Sequence, residues 1–186
     1  MERAIRSFLE GMGRSFEGDV LDATPGRVAR AWVEDLVAGY GVDPGAELTW
    51  SPNEDGPTAG PVLVRRIHFA SVCAHHLLPF FGRAGVAYLP GERIAGLSKL
   101  GRVVDAHARR LQTQERLTAD IVQTLEHGLR PRGVVALLEA QHTCMTLRGV
   151  RKEQSSMLTL ASAGIYRDDA AARREMVELL VGNGSG

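Results

Sequence analysis

The sequence of 186 residues has only two cysteines, few aromatic residues and no excess charge of either sign. Aromatic residues make up 5% of the chain, and 22 Lys and Arg residues balance 22 Asp and Glu residues. This balance excludes a generally basic nucleic-acid coat and a disordered polyelectrolyte, because both need an excess of one charge. Any anion binding must therefore depend on a local cluster of basic residues.

Long apolar runs are also absent from the sequence. The longest aliphatic run covers residues 134–138, whereas a helix that crosses a bilayer needs about 20 apolar residues. Charged residues interrupt the first ten positions at helical spacing, which is unlike a secretory signal. We therefore expect a soluble, cytoplasmic protein with no membrane partner. In that reducing compartment Cys73 and Cys144 are not expected to form a disulfide.

Hydrophobic periodicity predicts an α+β domain preceded by helices. Residues 1–42 have helical spacing, residues 43–60 lack a period and form a predicted connector, and residues 61–186 form the predicted main domain. The order of elements in that domain is ββααββ, which predicts a four-stranded antiparallel sheet with two helices on one face. Such a sheet leaves edges that a chain of this size cannot cover, so we expect a ring-shaped homo-oligomer.

The bounds of the predicted elements follow from apolar spacing and from turn residues. Thr24 is predicted to N-cap a helix that has Pro25 at its first position, and Ser98 to N-cap the first of two long helices between residues 97 and 129. A last helix is predicted at residues 170–181. The predicted strands are 62–72, 82–89, 134–139 and 145–150, the last with a continuation at 157–161.

Both cysteines lie beside histidines. The run Cys73-Ala74-His75-His76 places a thiol and an imidazole three positions apart, and Cys144 follows 71 positions after Cys73, next to His142. Zinc binds such ligands, and a catalytic zinc site has three protein ligands and one position open to water. Cys73, His76 and Cys144 would form this set. The spacing alone leaves open which histidine binds the metal and which acts on a substrate.

Two more clusters have residue types that bind nucleotides. Lys99 and Arg102 follow Ser98 at a predicted helix start, where an anion shared between the cations would be stabilised. Gln114 and Glu115 lie where the two long helices join. A carboxylate beside an amide can accept hydrogen bonds from N1–H and the 2-amino group of guanine while the amide reaches O6. Taken alone, each cluster also suits a solvated turn or an ordinary helix junction.

Four motifs, in this order and spacing, resemble the GTP cyclohydrolase I family. They are Cys-x-His-His-Leu-Leu-Pro-Phe from residue 73, Gly-Leu-Ser-Lys-Leu-x-Arg from residue 96, Gln-Thr-Gln-Glu-Arg-Leu-Thr from residue 112, and Glu-Ala-x-His-x-Cys-Met-x-x-Arg-Gly-Val from residue 139. The resemblance extends from about residue 24 to residue 164. It departs from the family pattern at Ala74, where the family usually has a glutamate that would support the zinc site.

The resemblance implies a tunnelling fold (T-fold) and a homo-oligomer, typically a decamer of two pentamers with sites at subunit interfaces. It implies conversion of GTP and water to 7,8-dihydroneopterin triphosphate and formate, in folate or pterin synthesis. By analogy, Cys73, His76 and Cys144 bind the cofactor Zn²⁺, which activates the water that attacks C8 of the purine. The analogous catalytic residues are His75 and His142. The analogous GTP contacts are Arg27, Ser98, Lys99, Arg102, Gln114, Glu115 and Arg148.

Two other interpretations remain open at this point. A T-fold paralogue could hydrolyse GTP at C8 for another pathway, such as deazapurine synthesis, or stop at a formamidopyrimidine stage. A binding module could instead hold a nucleotide and use zinc structurally, with His75 or His142 as a fourth ligand. Release of formate separates either enzyme from the binding module.

Overall fold

The N-terminal section is helical, as its apolar spacing predicts. In the computed structural model, which describes residues 1–13, 20–56, 60–149, 151–152 and 154–182, helix α1 spans Glu2–Gly11 and α2 spans Thr24–Arg30. A π-helical segment, Ala31–Leu36, and a 3-10 turn, Ala38–Gly41, continue from α2. Thr24 is the first helical residue and not the predicted N-cap, since Ala23 occupies the cap position.

The remaining elements follow in chain order. They are α3 (Pro44–Glu47), β1 (Trp50–Pro52), β2 (Val62–Cys73), β3 (Pro79–Leu89), β4 (Arg93–Ala95), α4 (Leu97–Ala108), β5 (Leu111–Gln112), α5 (Gln114–Leu129), β6 (Gly133–His142), α6 (Thr143–Thr146), β7 (Met157–Gly164), α7 (Ile165–Asp168) and α8 (Ala170–Val181). The segment 43–60, which has no period in the sequence, thus contains α3 and β1, and β1 pairs with β4.

The main sheet has the order β5-β2-β3-β6-β7. Strands β2, β3, β6 and β7 are antiparallel neighbours, so the predicted four-stranded antiparallel sheet is confirmed. The two-residue strand β5 adds a fifth member that runs parallel to β2. A strand this short leaves no periodic pattern in a sequence, which explains why it was not predicted.

The predicted strand at residues 145–150 is wrong within the described residues. Residues Thr143–Thr146 form the single helical turn α6, and Val150 lies outside the described part of the chain. The apolar side chains of Met145 and Leu147 are exposed, and the place beside β6 is taken by β7. The fourth strand of the ββααββ order is therefore the predicted continuation, which begins at Met157.

Two helices cover one face of the main sheet, as predicted. Leu100 and Val103 of α4 and Leu117 of α5 are buried in one apolar cluster with the inward side chains of β3 and β6. Helix α8 covers part of the opposite face, where Met176 and Leu180 pack with the other side of β6. No helix within the described ranges is long and apolar enough to cross a membrane.

The caps of the two long helices differ from the sequence prediction. Gly96 caps α4 with extended backbone directly after β4, so Ser98 is an exposed residue inside the first turn and not the N-cap. Thr113 caps α5, and its Oγ1 accepts a hydrogen bond from the backbone N–H of Arg116 at 3.3 Å. The cap that stabilises a long helix through its side chain is therefore Thr113.

We expect Thr113→Ala to lower the free energy of unfolding by about 1 kcal/mol, because an N-cap hydroxyl satisfies a helix N–H. Ser98→Ala should change it by less than about 0.5 kcal/mol, since Ser98 is exposed and caps nothing. Urea unfolding of the two variants and the parent measures both values. Equal destabilisation by the two substitutions would contradict the cap assignment.

Candidate metal centre and active site

Strand pairing brings together residues that are far apart in sequence. Val72 pairs with Pro79 where β2 returns as β3, and Phe80 of β3 pairs with His142 of β6. Cys73 is the last residue of β2, and Cys144 follows two positions after the end of β6. The ends of β2 and β6 therefore meet at the start of β3, where both cysteines lie.

A tight turn after β2 places His76 beside Cys73. Leu77 adopts a left-handed backbone with φ 54°, and its N–H donates to the carbonyl of Cys73 at 2.8 Å. His76 Nδ1 lies 3.8 Å from Cys73 Sγ as a result. The turn between β2 and β3 thus brings this imidazole back toward the cysteine.

Cys73, His76 and Cys144 form a group that could hold a metal ion. One ligand atom from each lies within 4.8 Å of the other two. Cys73 is buried, Cys144 is partly buried and His76 is exposed, so the group opens to solvent on the histidine side. Among the described residues the group has three members, which leaves one position of a tetrahedral centre for water or substrate.

The electrostatics of the two thiols suit a bound cation. Burial raises the pKa of the Cys144 thiol, and the neighbouring Cys73 raises it further, whereas Arg148 lowers it. Two adjacent thiolates repel each other, and a divalent cation between them removes this penalty and favours both deprotonated forms. Two sulfurs and one imidazole nitrogen are a donor set typical of zinc.

His142 is held beside this group by two contacts. Its ring stacks on Phe80, with centroids 4.5 Å apart and planes 4° from parallel, and its Nε2 lies 2.8 Å from Gln114 Oε1. Burial lowers the pKa of His142, and the nearby Glu115 carboxylate raises it. A half-buried imidazole near the metal group can move a proton during hydrolysis. Phe80 had no role in the sequence prediction, although it lies within the first motif.

The other predicted residues near the group differ in their environments. His75 is exposed in the turn, with its ring edge-on to His76 at 6.1 Å. Glu115 is exposed in the first turn of α5, and Arg148 is exposed after α6. Gln114 is fully buried, and its amide nitrogen and amide oxygen both form hydrogen bonds with other residues of the chain. Glu115 and Arg148 are therefore free to contact a ligand, while Gln114 is engaged.

The remaining predicted nucleotide contacts lie in the N-terminal half of α4 or on α2. The C-terminal end of α4 leads to β5, which pairs with Cys73, and roughly 15 Å of helix separates Ser98 from Ala108. Arg102 bonds to Glu47 at 3.4 Å, and Arg27 is exposed on α2, which packs against α1. Ser98 and Lys99, at the start of α4, are therefore separated by most of the length of this helix from the strand that pairs with Cys73.

This fold and site define a class of protein. An α+β enzyme with three potential metal ligands, an open position and an adjacent half-buried histidine has groups that suit metal-assisted hydrolysis. The sequence model of the family GTP cyclohydrolase I matches residues 1–181. The chain belongs to the GTP cyclohydrolase I family, and it is accordingly a hydrolase that acts on cyclic amidine carbon–nitrogen bonds.

Relatives from several bacteria support this assignment. Proteins named GTP cyclohydrolase 1 from Streptococcus agalactiae and Wolinella succinogenes are each 42% identical, over 97% and 95% of this chain and 95% and 94% of their own lengths. The protein of that name from Rhodopirellula baltica is 46% identical over 97% of this chain and 77% of its own length.

The crystal structure of an archaeosine synthase QueF-Like in the apo form has a TM-score of 0.48 and 16% identity, covering 57% of this chain and 96% of that one.

We expect the protein to bind one zinc ion per chain, because two sulfurs and one nitrogen converge. Cys144→Ser should weaken metal binding by more than about 100-fold, since even residues that only support a metal ligand contribute about 10–100-fold. His68→Gln is the control, because His68 is an exposed histidine of β2 outside the group. Titration with Co²⁺, whose absorption reports thiolate ligands, measures both. Full metal affinity in Cys144→Ser would show that the group is not the metal centre.

Proposed function

We propose that this chain is a zinc-dependent enzyme that converts GTP and water to 7,8-dihydroneopterin triphosphate and formate. This is the first step of folate or pterin synthesis, and we propose that it occurs in the cytoplasm. The observation that carries the proposal is the three-membered group of Cys73, His76 and Cys144, with one position open beside His142. An open position is what a catalytic metal site needs and a structural site lacks.

Zinc, when bound, would act as a Lewis acid that lowers the pKa of a water molecule to about 7. The chain's own residues would then direct the chemistry at C8 of guanine. Water addition at C8 and cleavage of a ring carbon–nitrogen bond require a proton on the departing nitrogen, and we propose that His142 supplies it. A second water releases formate, and closure of the pterin ring returns one, so the net reaction consumes one water. His75, exposed beside His76, would act at the ribose during rearrangement.

Recognition of guanine is proposed to depend on Glu115. Its carboxylate is exposed at the first turn of α5 and close enough to His142 to influence the pKa of that ring. A carboxylate can accept hydrogen bonds from N1–H and the 2-amino group of guanine, and adenine presents neither donor in that arrangement. Charge-assisted hydrogen bonds of this kind are among the stronger ones in proteins.

The triphosphate is proposed to bind Lys99, Arg102, Ser98 and Arg27 from a second chain, together with Arg148 from the chain that holds the metal. The length of α4, which separates its N-terminal residues from the Cys–His group, supports this division. Strand β7 is an edge of the main sheet, and its Leu158 and Leu160 are exposed. An edge strand offers backbone N–H and C=O groups to a strand of another chain, and the exposed leucines add apolar surface that such a chain can bury, which supports a ring-shaped homo-oligomer with the T-fold, such as a decamer.

The proposed reaction is tested by incubating the zinc-loaded protein with GTP. Formate, 7,8-dihydroneopterin triphosphate and any formamidopyrimidine are measured separately. We expect formate and 7,8-dihydroneopterin triphosphate in equal amounts. Accumulation of a formamidopyrimidine without formate would contradict the full reaction and favour an enzyme that stops after ring opening. Binding of GTP without any change in it would contradict the assignment of an enzyme.

Glu115→Gln should lower kcat/KM for GTP by about 10- to 100-fold, because a hydrogen bond to a charged group contributes about 1.5–3 kcal/mol. Glu126→Gln is the matched control, since Glu126 lies on the same helix but on a later turn. ATP should be a very poor substrate for the parent protein. Full activity of Glu115→Gln, or comparable turnover of ATP and GTP, would show that this carboxylate does not read the base.

A further inference from the structure

Gln114 is buried and forms several hydrogen bonds within the chain, which direct contact with guanine would not require. Its side chain is fully buried at the first position of α5. Its Nε2 lies 3.0 Å from the carbonyl oxygen of Leu138, 2.9 Å from that of Met157 and 3.1 Å from Thr159 Oγ1. These acceptors belong to β6 and β7, so the amide joins the start of the helix to two strands.

The chemistry of these partners fixes which way the amide faces. Carbonyl oxygens only accept hydrogen bonds, so the Gln114 nitrogen, and not its oxygen, must face Leu138 and Met157. The opposite orientation would place Oε1 against two carbonyl oxygens and lose both of these hydrogen bonds. Thr118 strengthens the arrangement, since its Oγ1 donates to the Gln114 carbonyl and lies 2.7 Å from Thr159 Oγ1.

The fixed amide determines where His142 holds its proton. Gln114 Oε1 lies 2.8 Å from His142 Nε2 and has only lone pairs to offer, so Nε2 must be the donor. A neutral imidazole has one N–H, which leaves the lone pair on Nδ1. The stacked ring of Phe80 holds the plane of the imidazole and opposes a rotation that would carry Nε2 away from Gln114 Oε1.

We propose that Gln114 is a positioning residue that holds His142 as the Nε2–H tautomer, so that Nδ1 is the ring atom that exchanges a proton with the substrate. This inference rests on the proposed function for its second half, the exchange with substrate. The first half, the tautomer, is a property of the protein alone. Gln114 then acts through His142 and not by contact with the base.

The tautomer is measured on the unmodified, zinc-loaded protein without GTP. The chain has six histidines, so ¹⁵N labelling of histidine gives few ring signals, and the His142→Gln spectrum identifies those of His142. At a pH where the ring is neutral, we expect the proton on Nε2. A proton on Nδ1 would overturn the proposal without any further variant. Because GTP is absent, this result is independent of whether the protein hydrolyses GTP.

The functional half is tested with Gln114→Met and the matched control Gln112→Met. Gln112 is also buried, but its amide bonds to the His107 carbonyl and to Asp120. We expect Gln114→Met to keep its zinc and its affinity for GTP, to lose about 10–100-fold in kcat, and to show His142 in both tautomers. Gln112→Met should keep kcat and the Nε2–H signal.

If the KM of Gln114→Met for GTP rises while kcat is retained, the positioning role is overturned. That result would indicate that Gln114 contacts guanine directly. Absence of GTP turnover in the unmodified protein would instead contradict the proposed function. The tautomer measurement would still test whether Gln114 holds the proton of His142 on Nε2.

Discussion

The antiparallel register of β3 between β2 and β6 is the constraint on which the site depends. It pairs the first residues of β3 with Val72 on one side and with His142 on the other. A shift of one residue would turn the side chains of a whole strand to the opposite face of the sheet. Cys73 and Cys144 would then separate, and the stack of Phe80 on His142 would be lost. The helices α4 and α5 stabilise this register by burying one face of the sheet.

Helix α5 connects the stability of the fold to the chemistry of the site. Its first turn contains the cap Thr113, the buried amide of Gln114 and the exposed carboxylate of Glu115. The following turns bury Leu117 and Ile121 in the core, so the start of the helix is held firmly relative to the sheet. Because the core holds α5 in place, it also holds the Gln114 amide that orients His142.

Local sequence patterns predicted many of the helices and strands. They failed where contacts between residues far apart in sequence determine the structure. The cysteine and histidine spacing predicted a metal-binding group but left open which histidine binds the metal, and the last helix was predicted at residues 170–181. The apolar pattern at residues 145–150 could not reveal that β7 occupies the place beside β6. The network of Gln114 was also hidden, because Met157 and Thr159 are 43 and 45 positions away in sequence. A polar residue on the inward face of a helix was its one visible signal.

The proposed reaction depends on a metal centre with an open position, and X-ray absorption at the zinc edge of the loaded protein without substrate reports on that centre most directly. We predict two sulfur ligands at about 2.3 Å and two lighter ligands at about 2.0–2.1 Å. One of the lighter ligands should be the His76 imidazole, and the other an oxygen that a small anion displaces. Two imidazoles with two sulfurs, and no exchangeable oxygen, would describe a closed structural site and contradict the proposed catalytic zinc site.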